Sequence, residues 1–272
     1  RMAFRAHVLG VFGIVITLFW MLLNHYYEYS YVWQHSNNSM PRRYILSCFW
    51  EGQEGSFLLW MFWQAVLSWF IIRKAGEWEN GVMLTISMVQ CFIASMLLGV
   101  VILNYKIGSN PFILLREHAD FANAPFIKMP DYLSRIKDGR GLNPLLQNYW
   151  MTIHPPTLFL GFASTLVPFA FAMSALIRRK YDEWIKPALP WTFFSIMILG
   201  TGILMGAAWA YESLSFGGFW AWDPVENASL VPWLTIVGAA HVMIINNKNG
   251  RAVLSSVLLV TATFLLVLYS TF

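Results

Sequence analysis

Seven stretches of about twenty residues run almost without charge, and that pattern leaves this chain few ways to fold. They are His7–Asn24, Ser56–Ile72, Gly81–Leu103, Pro155–Ile177, Trp191–Tyr211, Ala228–Ile245 and Ala252–Phe272. At ~1.5 Å per residue, a helix of that length crosses a ~30 Å hydrocarbon core. Charged residues make up 12% of the chain, against the ~25% usual in soluble domains. The expected fold is all-α: a polytopic membrane bundle of about seven transmembrane helices. The first span is not a signal peptide, because no small-residue cleavage site follows it. Tyr26, Tyr27, Tyr29 and Tyr31 follow instead, as an interfacial aromatic belt would.

Basic residues assign the sides. Arg1 and Arg5 lie at the N-terminus, and Arg73, Lys74, Arg178, Arg179, Lys180, Lys186, Lys248 and Arg251 lie in three short connections. The segment Glu212–Asn227 has no Lys or Arg. The positive-inside rule places the basic loops in the cytoplasm. Tyr26–Gly55, Asn104–His154 and Glu212–Asn227 then face outward. The second of these carries six basic residues, but long loops weigh less in the rule. The net charge of +4 follows from this bias, and no basic stripe points to nucleic acid. Cys48 and Cys91 are isolated, so neither a CxxC redox motif nor a metal cage is present. Arg1 is not an initiator Met and Phe272 ends an apolar run, which together read as a piece of a longer protein.

The outward segment before the sixth span is FGGFWAWDPVENASLVPWL, Phe216–Leu234. Asp223, Pro224 and Glu226 form a helix start: an Asp N-cap, Pro at the first position and Glu at the third. Phe216, Phe219, Trp220, Trp222 and Trp233 crowd into the same stretch, where interface anchors are usually scattered singly. Each such ring can cover ~150–250 Å². Gly217 and Gly218 allow a sharp turn or a close approach to a ligand. A large, flat, apolar ligand fits this composition.

His154, in IHPP, opens the fourth span. Pro155 and Pro156 suit the first turn of a helix, with His154 just outside it. The residue is either a solvated or capping histidine or, on the same membrane face as the aromatic turn, an axial nitrogen for an iron porphyrin. His241 lies inside the sixth span. There it is either hydrogen-bonded to a neighbouring helix or a ligand to an intramembrane haem, and His7 is the one weak candidate for its partner. His25, His35 and His118 read as surface residues. Gly202 and Gly206 form a GxxxG pair for close helix contact. No nucleophile–base pair, phosphate loop or carboxylate dyad supports hydrolytic chemistry.

Four segments carry a resemblance: QHSN at Gln34–Asn37, EGQEGS at Glu51–Ser56, DGRGLNPLLQNYWMTIHPP at Asp138–Pro156, and Phe216–Leu234. In these the chain resembles the CcmF-type subunits of cytochrome c haem lyases, among the haem-handling proteins with a tryptophan-rich "WWD" domain. The resemblance implies N-terminal transmembrane helices and outer loops over residues 1–153 and a haem-handling core over 154–272. It implies that haem is held on the outer face against the WWD turn, for thioether attachment to the CxxCH cysteines of an apocytochrome c. His154 would be one axial ligand of that haem, and His241 one ligand of a membrane-embedded b-type haem. The second ligand of each would lie beyond Phe272. Phe216 and Phe219 stand where the family often has Trp, which keeps a ring but loses an indole N–H. Further implications are a haem-delivering chaperone, a thiol-reducing partner, other maturation subunits in the membrane, contact with lipid, and residence in a bacterial or organellar inner membrane. Outer arginines such as Arg140 are available for haem propionates. The protein would position substrates rather than react with them.

Other readings stand beside this one: a transporter moving haem across the bilayer past His241, a quinol-oxidising electron carrier, or a scaffold whose aromatic turn docks a partner protein.

Overall fold

A computed structural model describes residues 2–103, 105–121, 124–213 and 218–270. In chain order its helices are α1 (Met2–Leu23), α2 (Ser30–His35), α3 (Arg42–Ser47), α4 (Gln53–Lys74), α5 (Glu79–Leu98), α6 (Tyr132–Arg135), α7 (Tyr149–Arg178), α8 (Ile185–Ser213), α9 (Pro224–Asn249) and α10 (Val253–Tyr269). A two-stranded hairpin, β1 (Val100–Ile102) and β2 (Tyr105–Ile107), follows α5. The chain is an integral membrane protein of helical class. Among the described residues, six helices are long and apolar enough to cross a membrane. The seventh expected span is the shorter α10, whose 17 residues rise only about 25 Å.

The observed ends of the spans shift by a few residues throughout, and in two spans the cause is local. The third stops at Leu98, because Gly99 takes a left-handed φ of 65° and the β-branched Val100, Val101 and Ile102 continue as a strand. The fourth starts earlier than the double proline indicates. Asn148 accepts the Trp150 N–H on its side chain at 2.9 Å and caps α7 there. His154, Pro155 and Pro156 are therefore inside α7, not at its edge. Pro155 lacks the N–H that the Met151 carbonyl would receive, and the Trp50 indole N–H supplies it at 2.8 Å.

Two compact units divide the chain. The first holds residues up to Phe62 together with Phe92–Thr152. In it α1 buries Val8, Val11, Val15, Leu18 and Leu22, a three-and-four spacing that gives one helical stripe, while Leu9, Ile16 and Trp20 face outward. Phe19 stacks on Phe49 at 4.2 Å and Phe12 meets Phe62 at 5.0 Å. Its extramembrane part is a braid. The Ser30 N–H donates to the Ile113 carbonyl and the Leu115 N–H to the Glu28 carbonyl, over a small core of Leu115, Ile127 and Tyr132 backed by Trp33 and Phe121. Tyr31 is buried and donates its hydroxyl to the Phe49 carbonyl at 2.8 Å. Gly55 sits where any side chain would collide with that carbonyl and the Tyr31 hydroxyl.

Asp138 ties this braid together. Its Oδ1 accepts the Asn38 N–H at 2.8 Å, the Gly139 N–H at 2.8 Å and the Tyr27 hydroxyl at 3.3 Å. The Asn38 amide, foremost, holds the carboxyl below its usual range. Burial, followed by the nearby Asp138 charge, pushes Tyr27 up to about 12. A depressed carboxylate stabilises the fold above its unfolded value, near ~3.9, and that contribution is lost as pH falls through the lower folded value. We expect Asp138→Asn to lower the thermal midpoint at neutral pH and to flatten its fall in acid. Melting curves in detergent across that pH range check this.

The second unit holds Trp63–Cys91 and the residues from Ile153 onward. It packs α9 on α8 and α10, with Phe169 of α7 stacked on Phe264 of α10 at 4.7 Å. Gly81 of α5 abuts Ser174 of α7 with no room for a Cβ. At the C-terminal end of α7, Arg178 and Lys180 converge on Glu77 at 2.7 and 2.8 Å.

Candidate functional site

Within the second unit, α7 and α8 come together through glycines. A Cβ on Gly161 would stand 2.7 Å from the Leu199 Cα, and one on Gly202 would stand 3.0 Å from the Leu158 Cα. The expected GxxxG contact is thus present, with α7 as its partner. The close approach lets His154 of α7 reach across to α8. Its Nδ1 lies 2.9 Å from the Gly202 carbonyl oxygen. A carbonyl only accepts, so Nδ1 carries the proton and the neutral ring keeps its lone pair on Nε2. A histidine poised to bind a metal is usually held by such a bond from its other nitrogen. Gly206, one turn along α8, makes room for the ring: a Cβ there would lie 2.8 Å from the His154 Cε1 and 3.3 Å from Nε2.

Beside the imidazole is a cavity of about 100 Å³, which Leu158, Gly206, Trp209, Trp220, Asp223 and Ser229 help to line. The Trp209 ring is 5.7 Å from His154. The indole N–H groups of Trp209 and Trp220 are both buried, with no hydrogen-bond partner among the described residues. Two such donors beside one cavity are unusual, because buried polar groups are nearly always paired. The cavity is below the ~300–1,000 Å³ typical of small-molecule sites, so it does not enclose a tetrapyrrole. The flat apolar surface lies outside it.

That surface is the turn before α9. Phe219 is 56% exposed and stacks on Tyr211 at 4.3 Å and 4°. Trp222 is 70% exposed and stands edge-on to Trp220 at 5.7 Å. Gly218 is in the bend leading to Phe219, while Phe216 and Gly217 lie outside the described residues. The capping box forms as the sequence indicates: Asp223 Oδ1 accepts the Glu226 N–H at 2.7 Å, and Glu226 Oε2 accepts the Asp223 N–H at 3.4 Å. Glu226 Oε2 also accepts the Ala221 N–H at 2.8 Å, and the Asn227 side chain donates to the Trp222 carbonyl at 3.0 Å. These bonds close around Trp222, whose φ is +59°. A bulky residue in the left-handed region is strained, and the surrounding bonds hold it there.

Two other expected site residues stand apart from this cavity. Trp233 donates its indole N–H to the Ile196 carbonyl at 2.9 Å, bracing α9 on α8. His241 is exposed on α9, with Nδ1 2.8 Å from the Val237 carbonyl, to which it donates. Gly206 belongs to the site although the sequence marked it only for a helix contact, and Trp209 and Tyr211, just before the aromatic run, belong to it too. Their signal was proximity to the turn, but only the helix pairing shows which face they share. His35, read as a surface residue, is instead paired at 2.8 Å with Glu51, and both are largely covered.

Fold and site together define a polytopic helical membrane protein with an aromatic turn that shares a cavity with a membrane-helix histidine. The family described as Cytochrome C assembly protein matches residues 50–272. The chain belongs to that family. It is 35% identical over 94% of its length to the cytochrome c-type biogenesis protein CcmF of Pseudomonas aeruginosa, of which it covers 36%. It is 32% identical over 98% of its length to the cytochrome c-type biogenesis protein CycK of Bradyrhizobium diazoefficiens, covering 37% of that protein. A solved structure of the cytochrome c heme lyase CcmF matches 99% of this chain at a TM-score of 0.77 and 27% identity, with 40% of that structure covered. The chain thus spans somewhat over a third of the relatives it matches.

Proposed function

We propose that this chain takes part in cytochrome c assembly in an inner membrane, presenting haem on the outer face for covalent attachment to an apocytochrome c. The observation that carries this reading is the hydrogen bond from His154 Nδ1 to the Gly202 carbonyl, which leaves Nε2 as the free coordinating nitrogen. The indole N–H groups of Trp209 and Trp220, buried without a partner among the described residues, support the same site, since a haem's propionates or bound water would provide acceptors. The macrocycle rests against Phe219 and Trp222, while His154 takes the iron from one side. Haem is the substrate here: its vinyl groups accept cysteine thiols to form thioethers.

What this chain contributes is placement. His154 fixes the iron, the turn fixes the ring plane, and the family relation supports a delivering chaperone, a thiol reductant and other maturation subunits as partners. Holding two reactants in register lowers a barrier by several kcal/mol, up to ~7–11 in favourable cases. His241, exposed on α9, is proposed as a residue that would hold a resident b-type haem. That haem would supply electron transfer within the membrane.

The test is a pyridine haemochrome assay on the full-length protein, with haem staining of the acceptor cytochrome. His154→Ala and Trp220→Ala should each lower retained haem about tenfold or more, by analogy with lost support of a metal ligand, and abolish stained cytochrome. Normal haem content and normal cytochrome in both variants would refute the proposal. Haem trapped at His241 with none at His154 would instead favour the transporter reading.

A further inference from the structure

The first unit holds a second and larger cavity, of about 470 Å³, in the size range of small-molecule sites. Three distant segments build it: Gln34 and His35 at the end of α2, Glu51 before α4, and Arg140 to Leu146. Their meeting is fixed by backbone. The Arg140 N–H donates to the Trp33 carbonyl at 2.7 Å, and a Cβ on the neighbouring Gly139 would crowd that same carbonyl at 2.9 Å. Gly141 has a φ of +79° and lies against the Asn37 side chain, which no larger residue would permit. Arg140 is thus held by its main chain at one edge of the cavity.

The lining has one charge to spare. His35 Nδ1 and Glu51 Oε2 are 2.8 Å apart, with side chains only 18% and 16% exposed, so the carboxylate already has a partner. Arg140 is exposed, and among the described residues its guanidinium has neither an ion-pair nor a hydrogen-bond partner. Leu142, Pro144 and Leu146 give the lining its apolar part. A cationic ligand would find its natural acceptor already engaged. An anion finds a planar fork suited to bidentate carboxylate binding, and an apolar body finds the leucine wall.

We propose that this cavity binds a carboxylate carried on an apolar body, with Arg140 as the anion anchor and the His35–Glu51 pair as the wall that shapes the site. The carboxylate belongs either to a porphyrin side chain or to a free amphiphilic acid. The site is independent of His154, and its test is kept independent too.

The purified chain in detergent is illuminated with benzophenone-4-carboxylate or with its methyl ester, and cross-linked peptides are quantified by mass spectrometry. The acid should label residues 140–146 at least about fivefold more than the ester, because the guanidinium recognises only the anion. Arg140→Gln should remove that preference and Arg140→Lys should restore part of it, with unchanged melting temperatures. His154→Ala should leave the labelling intact, which separates this site from the outer haem. Competition by protoporphyrin IX but not by decanoate would assign the carboxylate to a porphyrin, and the converse would assign it to an amphiphilic acid. Equal labelling by acid and ester, or a preference that survives Arg140→Gln in the folded protein, would overturn the proposal.

Discussion

Gly206→Ala should strip haem from the protein as completely as His154→Ala. The added methyl would stand 2.8 Å from the His154 Cε1, so the imidazole must swing away. Its Nδ1 bond to the Gly202 carbonyl, 2.9 Å in length, would not survive that swing. Loss of a bond that orients a ligating histidine typically costs ~10–100-fold in affinity for the metal group. The haemochrome yield should fall by that factor while the helical content is kept, because the displaced atom is the end of a side chain and not backbone. Gly161→Ala is the contrasting case. Its methyl would meet the Leu199 Cα at 2.7 Å, so two helices must separate. We expect a loss of about 1–3 kcal/mol in stability there, as for other overpacked interfaces, with a normal haem spectrum in the fraction that folds. Thermal unfolding and haem content measured on the same samples distinguish the two.

Trp222→Gly should make the chain more stable and its haem binding weaker. The native φ of +59° is unfavourable for tryptophan and free for glycine. The bonds around this residue run to backbone atoms and remain in the variant: the Trp222 carbonyl to Asn227, and the flanking Ala221 and Asp223 N–H groups to Glu226. The side chain is 70% exposed, so little burial is lost. The gain should be about 1 kcal/mol, the usual cost of the left-handed region for a residue with a Cβ. Haem should bind about tenfold more weakly, the size of one aromatic stacking partner. Glu226→Ala should act in the opposite direction on stability, by about 1 kcal/mol, because the cap is broken and the strain remains. A melting series of the three proteins with matched haem titrations checks the pattern. Tryptophan held in strain at a turn that needs only a small residue is the mark of a side chain kept for its contacts with something else.

Much of this was legible in the sequence because membrane helices write themselves in long apolar runs. The Asp223–Glu226 cap was legible for a similar reason, being a local pattern with a local cause. Long-range pairing was not. Pro155 reads as a helix start because a proline inside a helix leaves a carbonyl unpaired, and nothing local shows that Trp50 satisfies it. His35 reads as a surface residue because its partner Glu51 is sixteen positions away, in another segment. The hairpin from Val100 to Ile107 looked like the tail of a span because β-branched residues suit both lipid and strand. His154 stood out in the sequence, but its surroundings in the fold did not. The tautomer is set by the Gly202 carbonyl and the space by Gly206, both on a helix that begins thirty-one residues later.

The decisive measurement is resonance Raman spectroscopy of the ferrous haem-loaded full-length protein, comparing the native chain with His154→Gly before and after added imidazole. If Nε2 of His154 takes the iron, the spin- and coordination-state marker bands of the outer haem shift in the variant and return to the native pattern with imidazole. The native pattern persisting unchanged in His154→Gly, without imidazole and with haem still bound, would show that the iron is held elsewhere.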